Sequence, residues 1–319
     1  MKRWAETFLG FLFLLGIGGC SEQLPGFETL QPGTYEHILD VRAAGFRRSY
    51  LLHIPRNYDR TKPLPLVVAL HGGFGTAEKM ADETGFSEIA DREGFLVIYP
   101  NGISLFGWLQ HWNAGHCCGK AMKDDIDDVG FVALVIQQAC RYLQIDRTRI
   151  YLMGYSNGGM LAYLFAAQNP EILAAVAVIA GSIGSKASPL EPEVRISSAK
   201  APVPIVVFHG RKDDIIPYEG GKGTGGGHVY VSVKESMGFW VKANQCGSTS
   251  RKESLLQDRV LKETWVGKDQ EEKAVLYTLE GWKHTLPTRP HTQGLPETDP
   301  LKGFHASDVI WNFFKGHCR

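Results

Sequence analysis

The sequence predicts a single α/β domain built on a mainly parallel sheet with helices on both faces. Several short runs, such as Leu66–Leu70, are apolar at every position, which is typical of strands buried on both faces. These runs alternate with stretches whose apolar residues recur at helical spacing, and that alternation indicates a parallel sheet. No linker divides the chain after residue 34, so its 319 residues predict one large domain.

The predicted elements follow in order along the chain. Tyr35–Val41 and Phe46–Ile54 are predicted to pair as a hairpin. Further strands are predicted at 66–70, 95–99, 149–153, 175–180, 205–208 and 274–279. Helices are predicted at 77–93, 127–143, 159–167 and 304–314, with one more that ends near Ala243. Long loops are predicted at 101–126, 185–203 and 285–303, and a long loop in a compact domain is usually functional.

A predicted strand-to-helix junction carries the motif Gly154-Tyr155-Ser156-Asn157-Gly158. A serine nucleophile needs this arrangement, because a sharp turn between strand and helix holds its hydroxyl above the sheet edge. Small residues two before and two after the serine leave room for strand and helix to close around it. The motif and its context therefore predict that Ser156 is a catalytic nucleophile.

Two later strands lead to the other residue types that such a serine requires. The hydroxyl needs a base within hydrogen-bond reach, and the base needs an orienting carboxylate. The strand at 205–208 leads to Asp213, and the strand at 274–279 leads to His284. The chain order Ser156, Asp213, His284 is that of an α/β-hydrolase, so the sequence predicts that fold and this triad.

Each of these two positions has rivals. Asp214 adjoins Asp213, and one member of an adjacent pair usually faces solvent. His291 lies within the proline-rich loop and His305 begins the last predicted helix, whereas His284 directly follows a strand. We therefore favour Asp213 and His284 for the triad.

An oxyanion hole needs two N–H donors. Asn157 follows the serine and is predicted to supply one of them. The other is expected from the glycine-rich loop after the first buried strand, where Gly73 and Phe74 are both candidates. His71 and His209 each precede a glycine at a strand end, and we expect them to shape those turns by hydrogen bonding rather than to catalyse.

Together these motifs resemble the secreted esterases grouped with polyhydroxybutyrate depolymerases, feruloyl esterases and acetylxylan esterases of carbohydrate esterase family 1. The most specific match is the W-N-A-G…C-C-G…D-D-V-G-F run between Trp112 and Phe131. The resemblance implies an α/β-hydrolase fold, serine ester hydrolysis without a metal or cofactor, and the acid at Asp213. Other matching stretches lie at 71–73, 154–160, 209–218, 281–285 and 311–314.

The sequence departs from the family pattern beside the histidine. The family often has Gly-Gly-Gly-His-Thr-Trp-Pro there, whereas Trp282, Lys283 and Leu286 replace two glycines and the tryptophan in this chain. These positions would lie beside the substrate and influence the preferred leaving group. Aromatic residues predicted to line a substrate pocket, with plain packing as the alternative, are Phe74, Trp108, Trp112, Tyr155 and Trp282.

Composition limits the partners. Lys+Arg and Asp+Glu number 34 each, which gives no electrostatic argument for a nucleic-acid partner and argues against a strongly charged substrate. The acidic run at 124–128 is predicted to supply a helix N-cap, at Asp127 or Asp128, rather than a cation site. No C-x-x-C pair is present, so no zinc site is expected.

The N-terminus has the composition of an export signal. Lys2 and Arg3 precede an apolar stretch that is too short to span a bilayer, and small residues follow before Cys20. We expect a lipoprotein-type signal peptide at 1–19, a lipid on Cys20, a tether at 20–33 and the catalytic domain at 34–319. The alternative is an ordinary secretory signal that is cleaved nearby. With a lipid on Cys20, the exported protein would contact the membrane only through that anchor, whereas the ordinary signal would give a secreted protein without it.

Export would place five further cysteines in an oxidising compartment. Five is odd, so at least one would be unpaired or would pair elsewhere. Their spacing does not determine the connectivity, and a vicinal bridge or a bridge to Cys140 are both open. These residues are Cys117, Cys118, Cys140, Cys246 and Cys318.

These observations predict an exported serine carboxylesterase that acts through an acyl-enzyme. The resemblance implies feruloyl or acetyl esters of plant polysaccharide, or short hydroxyalkanoate oligomers, as substrates. The alternatives are a serine peptidase on the same fold and a non-catalytic surface lipoprotein that binds glycan. The complete set of Ser156, Asp213 and His284 favours catalysis over the binding alternative.

Overall fold

The computed structural model describes residues 30–43, 45–104, 109–224 and 227–319. The predicted signal peptide, Cys20 and the pocket candidate Trp108 lie outside the described residues. No helix in the described part of the chain combines the length and the apolar surface that a bilayer crossing requires.

The elements of the described residues alternate between strands and helices for most of the chain. The strands are β1 (Gly33–Ala43), β2 (Phe46–Ile54), β3 (Leu64–Leu70), β4 (Leu96–Pro100), β5 (Ile103–Ser104), β6 (Gln110–His111), β7 (Ile145–Tyr155), β8 (Ala175–Ile179), β9 (Gly184–Lys186), β10 (Val194–Arg195), β11 (Ile205–Gly210), β12 (Gly221–Lys222), β13 (Val229–Tyr230), β14 (Arg251–Leu255), β15 (Val260–Val266) and β16 (Glu272–Leu279). The helices are α1 (Ala77–Thr84), α2 (Phe86–Glu93), α3 (Gly119–Lys123), α4 (Asp128–Tyr142), α5 (Asn157–Gln168), α6 (Val233–Ala243), α7 (Arg289–Thr292) and α8 (Ala306–Phe314).

Ten strands form one central sheet in the order β1-β2-β4-β3-β7-β8-β11-β16-β15-β14. The strands from β4 to β16 in this order are parallel. Antiparallel pairing is confined to the edges, where β1 and β2 lie on one side and β15 and β14 on the other. The predicted class, a mainly parallel sheet covered by helices, is therefore confirmed.

The central strands are buried along their whole length, as their unbroken apolar sequences predict. Every residue of β4, β8 and β11 is buried. Their neighbours in the sheet occupy both edges, and helices cover both faces, so apolar side chains predominate, with His209 at the end of β11 as a buried polar exception. This arrangement fixes the direction of β3, β7, β11 and β16, whose carboxyl ends all meet at one edge of the sheet.

One predicted helix, at 77–93, is wrong in its length, because the structure has two helices there. Gly85 separates α1 from α2 with a φ of 62°, and its N–H donates to the carbonyl of Ala81. A left-handed residue at this point ends the first helix and changes the direction of the chain. Helical periodicity continues through a single glycine, so the pattern of apolar residues did not reveal the break.

The hairpin of β14 and β15 was not predicted. The sequence of β14, Arg-Lys-Glu-Ser-Leu, is almost entirely exposed at the sheet edge and therefore has no apolar alternation. Short elements also occupy the three predicted long loops, among them β5, α3, β10 and α7.

Candidate active site

Ser156 lies in the turn between β7 and α5, and its backbone is strained. Its φ is 53° and its ψ is −119°. Such a conformation costs a residue with a Cβ about 1–3 kcal/mol. The N–H of Ser156 donates to the carbonyl of Ile179 at 2.9 Å, and its own carbonyl accepts from the N–H of Met160 at 2.9 Å. These bonds hold the serine at the carboxyl edge of the sheet, at the N-terminus of α5.

Glycines on either side of the serine permit this turn. A Cβ on Gly154 would overlap the backbone of Gly158, and a Cβ on Gly158 would overlap the carbonyl groups at the end of β3. A Cβ on Gly72 would lie 2.8 Å from the ring of Tyr155. The strand, the helix and the loop after β3 thus approach more closely than side chains would allow, which explains why the motif requires small residues.

His284 bridges Ser156 and Asp213. Its Nε2 lies 2.9 Å from the Oγ of Ser156, and its Nδ1 lies 2.7 Å from the Oδ2 of Asp213. The Asp213 side chain is fully buried, and the imidazole is mostly buried. The structure thus brings together the three predicted triad residues, which are contributed by the carboxyl ends of β7, β11 and β16.

The rival residues lie elsewhere. Asp214 is exposed to solvent. His291 lies in α7, and His305 directly precedes α8, where its Nδ1 lies 3.3 Å from the hydroxyl oxygen of Thr292. The favoured aspartate and histidine, rather than these rivals, meet the serine in the structure.

The carboxylate of Asp213 is fixed by four donors. Its Oδ1 accepts from the N–H groups of Ile215 and Ile216, at 3.0 and 2.8 Å. Its Oδ2 lies 2.7 Å from His284 and 3.2 Å from the Nε2 of His209. Burial alone raises the pKa of Asp213, but the hydrogen bonds from His209 and His284 outweigh it and hold the pKa well below its usual range. The group is therefore ionised and fixed in orientation at neutral pH.

His209, predicted only to shape a turn, also contacts the triad in the structure. Its Nε2 lies 2.8 Å from the carbonyl oxygen of Ile216, so this nitrogen must carry a hydrogen. Its Nδ1 is buried and has no hydrogen-bond partner among the described residues. The same N–H is therefore shared between the Ile216 carbonyl and the Asp213 carboxylate. His209 lies four residues before Asp213, at the end of the strand that leads to the aspartate. That spacing is the sequence signal that could have indicated this contact.

The two candidate oxyanion donors after β3 are used differently. The N–H of Phe74 donates to the carbonyl of Gln110 at 2.8 Å and is therefore engaged. Gly73 approaches the start of α5, since a Cβ placed on it would lie 3.8 Å from the Cβ of Asn157. Asn157 is the first residue of that helix, so its N–H has no partner within the helix. The geometry thus places the backbone of Gly73, rather than Phe74, beside Asn157.

The side chain of Asn157 clamps the loop at Trp112. Its Oδ1 accepts from the N–H of Trp112 at 2.8 Å, and its Nδ2 donates to the Trp112 carbonyl at 3.0 Å. The indole N–H of Trp112 donates to the carbonyl of His71 at 2.8 Å, and this ring is fully buried. Trp112 therefore packs beneath the serine turn, which is the packing alternative to its predicted pocket role.

Two other described pocket candidates lie close to the histidine. The hydroxyl of Tyr155 donates to the carbonyl of His284 at 2.9 Å, and the indole N–H of Trp282 donates to the carbonyl of Thr285 at 3.0 Å. Trp282 is buried in the core, whereas Tyr155 is half-buried. Cavities of about 470 and 570 Å³ lie on other parts of the surface, and neither is lined by a triad residue.

His71 shapes the loop after β3, as predicted. Its Nδ1 donates to the carbonyl of Gly72 at 2.7 Å, and its Nε2 accepts from the N–H of Gly102 at 3.1 Å. Burial lowers the pKa of His71 to about 4. The ring is therefore neutral at physiological pH, and its two partners determine which nitrogen carries the hydrogen.

A buried ion pair anchors the loop that Asn157 holds. The Nη2 of Arg48 lies 2.7 Å from the Oδ1 of Asp128, and both side chains are almost fully buried. The Oδ2 of Asp128 accepts from the N–H of Asn113 at 2.7 Å, and the Arg48 guanidinium lies 3.6 Å from the ring centre of Phe131. The pair thus joins β2, α4 and the loop that contacts the serine turn.

The acidic run at 124–128 has two distinct roles. Asp127 is the N-cap of α4, where its Oδ1 accepts from the N–H of Gly130 at 2.7 Å, so the predicted N-cap is confirmed at this residue. Asp128 is used in the ion pair instead. In the described ranges, no group of three or more His, Cys, Asp or Glu side chains is arranged to hold a metal ion.

Two of the cysteines in the described part of the chain pair with each other. Cys117 and Cys118 form a vicinal disulfide, whereas Cys140, Cys246 and Cys318 have no disulfide partner among the described residues. The N–H of Cys118 also donates to the carbonyl of Trp112 at 3.2 Å. The disulfide therefore lies in the same loop that the asparagine and the ion pair hold.

Comparison with known families identifies the class of protein. The sequence model of the family described as "Esterase PHB depolymerase" matches residues 48–217, which is more than half of the chain. The chain therefore belongs to this esterase family. The matched segment contains the serine turn and Asp213 and ends before His284, and the resemblance inferred from the motifs is confirmed.

Curated relatives include enzymes with named ester substrates. Feruloyl esterase B of Piromyces equi is 27% identical over 209 residues, which cover 62% of this chain and 36% of the relative. The bifunctional acetylxylan esterase/xylanase XynS20E of Neocallimastix patriciarum is 30% identical over 179 residues, which cover 56% of this chain and 23% of the relative. The chain spans about half or less of the length of the curated relatives that it matches.

Solved structures support the fold. The acetyl xylan esterase from Aspergillus awamori superimposes with a TM-score of 0.55 at 16% identity, covering 84% of this chain and 94% of that one. At this identity the likeness concerns the fold alone. The fold is that of the α/β-hydrolases, as the chain order of the triad candidates predicts.

The buried ion pair leads to a prediction about stability. Replacing Asp128 by asparagine leaves Arg48 buried without its counter-charge, so Asp128→Asn should lower the free energy of unfolding by about 3–5 kcal/mol. Urea denaturation would measure the change. The control is Asp40→Ala, because Asp40 forms an exposed pair with Arg47 at 3.9 Å, and its loss should leave the stability nearly unchanged. Equally small effects of the two substitutions would contradict the prediction.

Proposed function

We propose that this protein is a serine carboxylesterase that hydrolyses its substrate through an acyl-enzyme. One observation carries the proposal: a continuous line of hydrogen bonds from Asp213 through His284 to the Oγ of Ser156. A hydroxyl so placed can lose its proton to the imidazole as it attacks, and the carboxylate stabilises the imidazolium that forms. Membership of an esterase family supports an ester as the substrate.

The proposed reaction begins with attack of the Ser156 Oγ on the ester carbonyl carbon, while the Nε2 of His284 takes the hydroxyl proton. The carbonyl oxygen becomes an oxyanion that accepts hydrogen bonds from the N–H groups of Gly73 and Asn157. His284 then gives its proton to the departing alcohol, and an acyl-enzyme remains. A water molecule gives a proton to the same histidine as it attacks the acyl carbon. The bond from that carbon to the Ser156 Oγ then breaks, and His284 returns the proton to the Oγ, which releases the carboxylic acid and restores the serine.

We propose polysaccharide-linked feruloyl or acetyl esters, or short hydroxyalkanoate oligomers, as the substrates. Relatives named as feruloyl and acetylxylan esterases support the first group, and the description of the family supports the second. The balanced charge of the chain is consistent with uncharged esters.

The first test measures ester hydrolysis by the chain without its predicted signal peptide. The ester panel is p-nitrophenyl acetate, methyl ferulate, acetylated xylan and a hydroxybutyrate oligomer. Ser156→Ala should lower kcat by several orders of magnitude, because the attacking oxygen is lost. The control is Ser198→Ala, which changes an exposed serine in a loop and should leave kcat unchanged. Hydrolysis that survives in folded Ser156→Ala would overturn the proposal, whereas cleavage of peptides and of no ester would favour the peptidase alternative.

The adjacent aspartates offer a matched pair of variants for the acid. Asp213→Asn should lower kcat by roughly 10³–10⁴-fold, because an amide neither stabilises the imidazolium nor fixes the tautomer of His284. Asp214→Asn makes the same chemical change one residue away on an exposed side chain, and kcat should stay within about twofold of the wild type. Steady-state kinetics would measure both variants. A larger loss of kcat in Asp214→Asn than in Asp213→Asn would instead assign the triad carboxylate to Asp214.

We also propose that the protein is exported and held on the periplasmic or outer surface by a lipid on Cys20, with residues 20–33 as a tether. The positive start, apolar stretch and Ile-Gly-Gly-Cys sequence support this proposal. In a bacterial host fed labelled palmitate, the full-length chain should carry label and fractionate with membranes, and Cys20→Ser should lose both properties. The control is Cys318→Ser, since Cys318 is an exposed free thiol of the folded domain, and it should keep the label. Unlabelled, soluble wild-type protein would show instead an ordinary secretory signal or none.

A further inference from the structure

Phe74 combines two features that neither packing nor backbone preference explains. Its side chain is 63% exposed, although it is a large apolar residue. Its φ is 64°, in the left-handed region that favours glycine. An exposed aromatic ring gains little from burial that would offset this strain. Strained residues persist where their surroundings over-determine them, and they cluster at functional sites.

The surroundings of Phe74 hold it in this conformation. Its N–H donates to the carbonyl of Gln110 at 2.8 Å, and the next residue, Gly75, pairs with Gln110 as a β-bridge. The side-chain oxygen of Gln110 accepts from the N–H of Gly102 at 2.9 Å, which fixes the partner in turn. The loop is therefore tied on both sides of the phenylalanine, and the ring projects from a rigid base.

His111 supports the ring from one side. The two ring centroids are 4.5 Å apart, and the planes meet at 77°, which is an edge-to-face contact. The backbone at Gly73 and Gly119 closely approaches the ring of His111 and confines it. A Cβ atom added to Gly73 would lie 3.5 Å from the His111 Cδ2, and one added to Gly119 would lie 3.1 Å from its Cγ. Burial also lowers the pKa of His111, so the supporting ring is neutral. The phenyl ring thus has one supported edge and remains largely open to solvent.

The position of Phe74 relative to His284 determines which part of an ester it meets. At Gly72 the loop faces Tyr155, whose hydroxyl binds the carbonyl of His284. At Gly73 it faces His111 and the start of α5 instead. Phe74 directly follows Gly73, so it lies at the part of the loop that faces the start of α5.

In the proposed reaction, the alcohol oxygen of the ester must face His284 in order to receive its proton. The carbonyl oxygen must face the N–H groups of Gly73 and Asn157. The acyl group, as the third substituent of the carbonyl carbon, points toward neither of these groups, which leaves it free to contact the exposed ring that follows Gly73.

We propose that Phe74 is a specificity-determining residue that stacks against a flat, conjugated acyl group of the substrate. The inference rests on the proposed function, because it uses the orientation of an ester in the Ser156–His284 site. The exposure of the Phe74 ring is then explained by a contact that forms only when the substrate is bound, and its strained backbone is held by the bonds to Gln110. A conjugated acyl group offers the planar face that such a ring prefers.

The test compares two esters that share an alcohol and differ in the acyl group, ethyl cinnamate and ethyl acetate. Phe74→Ala should lower the ratio of kcat/KM for cinnamate to that for acetate by about tenfold, mainly through a higher KM for cinnamate. Phe74→Tyr keeps an aromatic face and should retain most of the ratio. Phe74→Leu keeps apolar volume without the ring and should behave like Phe74→Ala.

Thermal unfolding separates this role from a structural one. Because the ring is mostly exposed and the backbone strained, Phe74→Ala and Phe74→Gly should not lower the Tm by more than about 1 °C. The matched control is Ile38→Ala, which removes another exposed apolar side chain, on the edge strand β1, and should leave the substrate ratio unchanged.

Three results would overturn the inference. The first is an unchanged ratio in Phe74→Ala. The second is an equal loss on both esters together with a lower Tm, which would indicate a structural role. The third is a loss of activity that depends on the alcohol part of the ester rather than on the acyl part. It would be seen as a changed ratio of kcat/KM between 1-naphthyl acetate and ethyl acetate. Failure of the proposed function looks different, because the wild-type protein would then hydrolyse none of these esters or would keep its activity in Ser156→Ala.

Discussion

The close approach of β7, α5 and the loop after β3 around Ser156 is the constraint on which the rest of the site depends. Three glycines make it possible, because side chains at 72, 154 and 158 would clash with the turn or with each other's backbone. The same approach sets the serine at the start of α5 and brings Gly73 beside Asn157. The strain at Ser156 is thus maintained by packing that extends over three elements.

The residues around this turn form a support that reaches far into the fold. The Asn157 side chain holds the backbone of Trp112, the indole holds the carbonyl of His71, and the Arg48–Asp128 pair holds the next residue of the same loop. The motif that resembled a family most specifically is therefore largely structural. The contacts of Trp112, Asn113 and Asp128 position the backbone around the serine.

The acid side of the triad is built with equal redundancy. Two backbone N–H groups and two histidines donate to Asp213, so its charge and its direction are fixed before a substrate binds. Pre-organisation of this kind avoids the cost of reorienting dipoles during the reaction. His209 adds to it from the same strand end that carries the aspartate.

The sequence alone determined the features that depend on local pattern. Unbroken apolar runs identified the buried strands, the glycine spacing identified the serine turn, and the chain order suggested the three residues that the structure groups at one edge. Tertiary structure decided what depends on contacts between distant residues. It bonded the N–H of Phe74 to Gln110, placed Gly73 beside Asn157, buried Trp112, and paired Arg48 with Asp128 across 80 positions. The physical reason is that periodicity records which faces of an element are buried, whereas hydrogen bonds and ion pairs between elements follow from their packing and leave no periodic trace in the sequence.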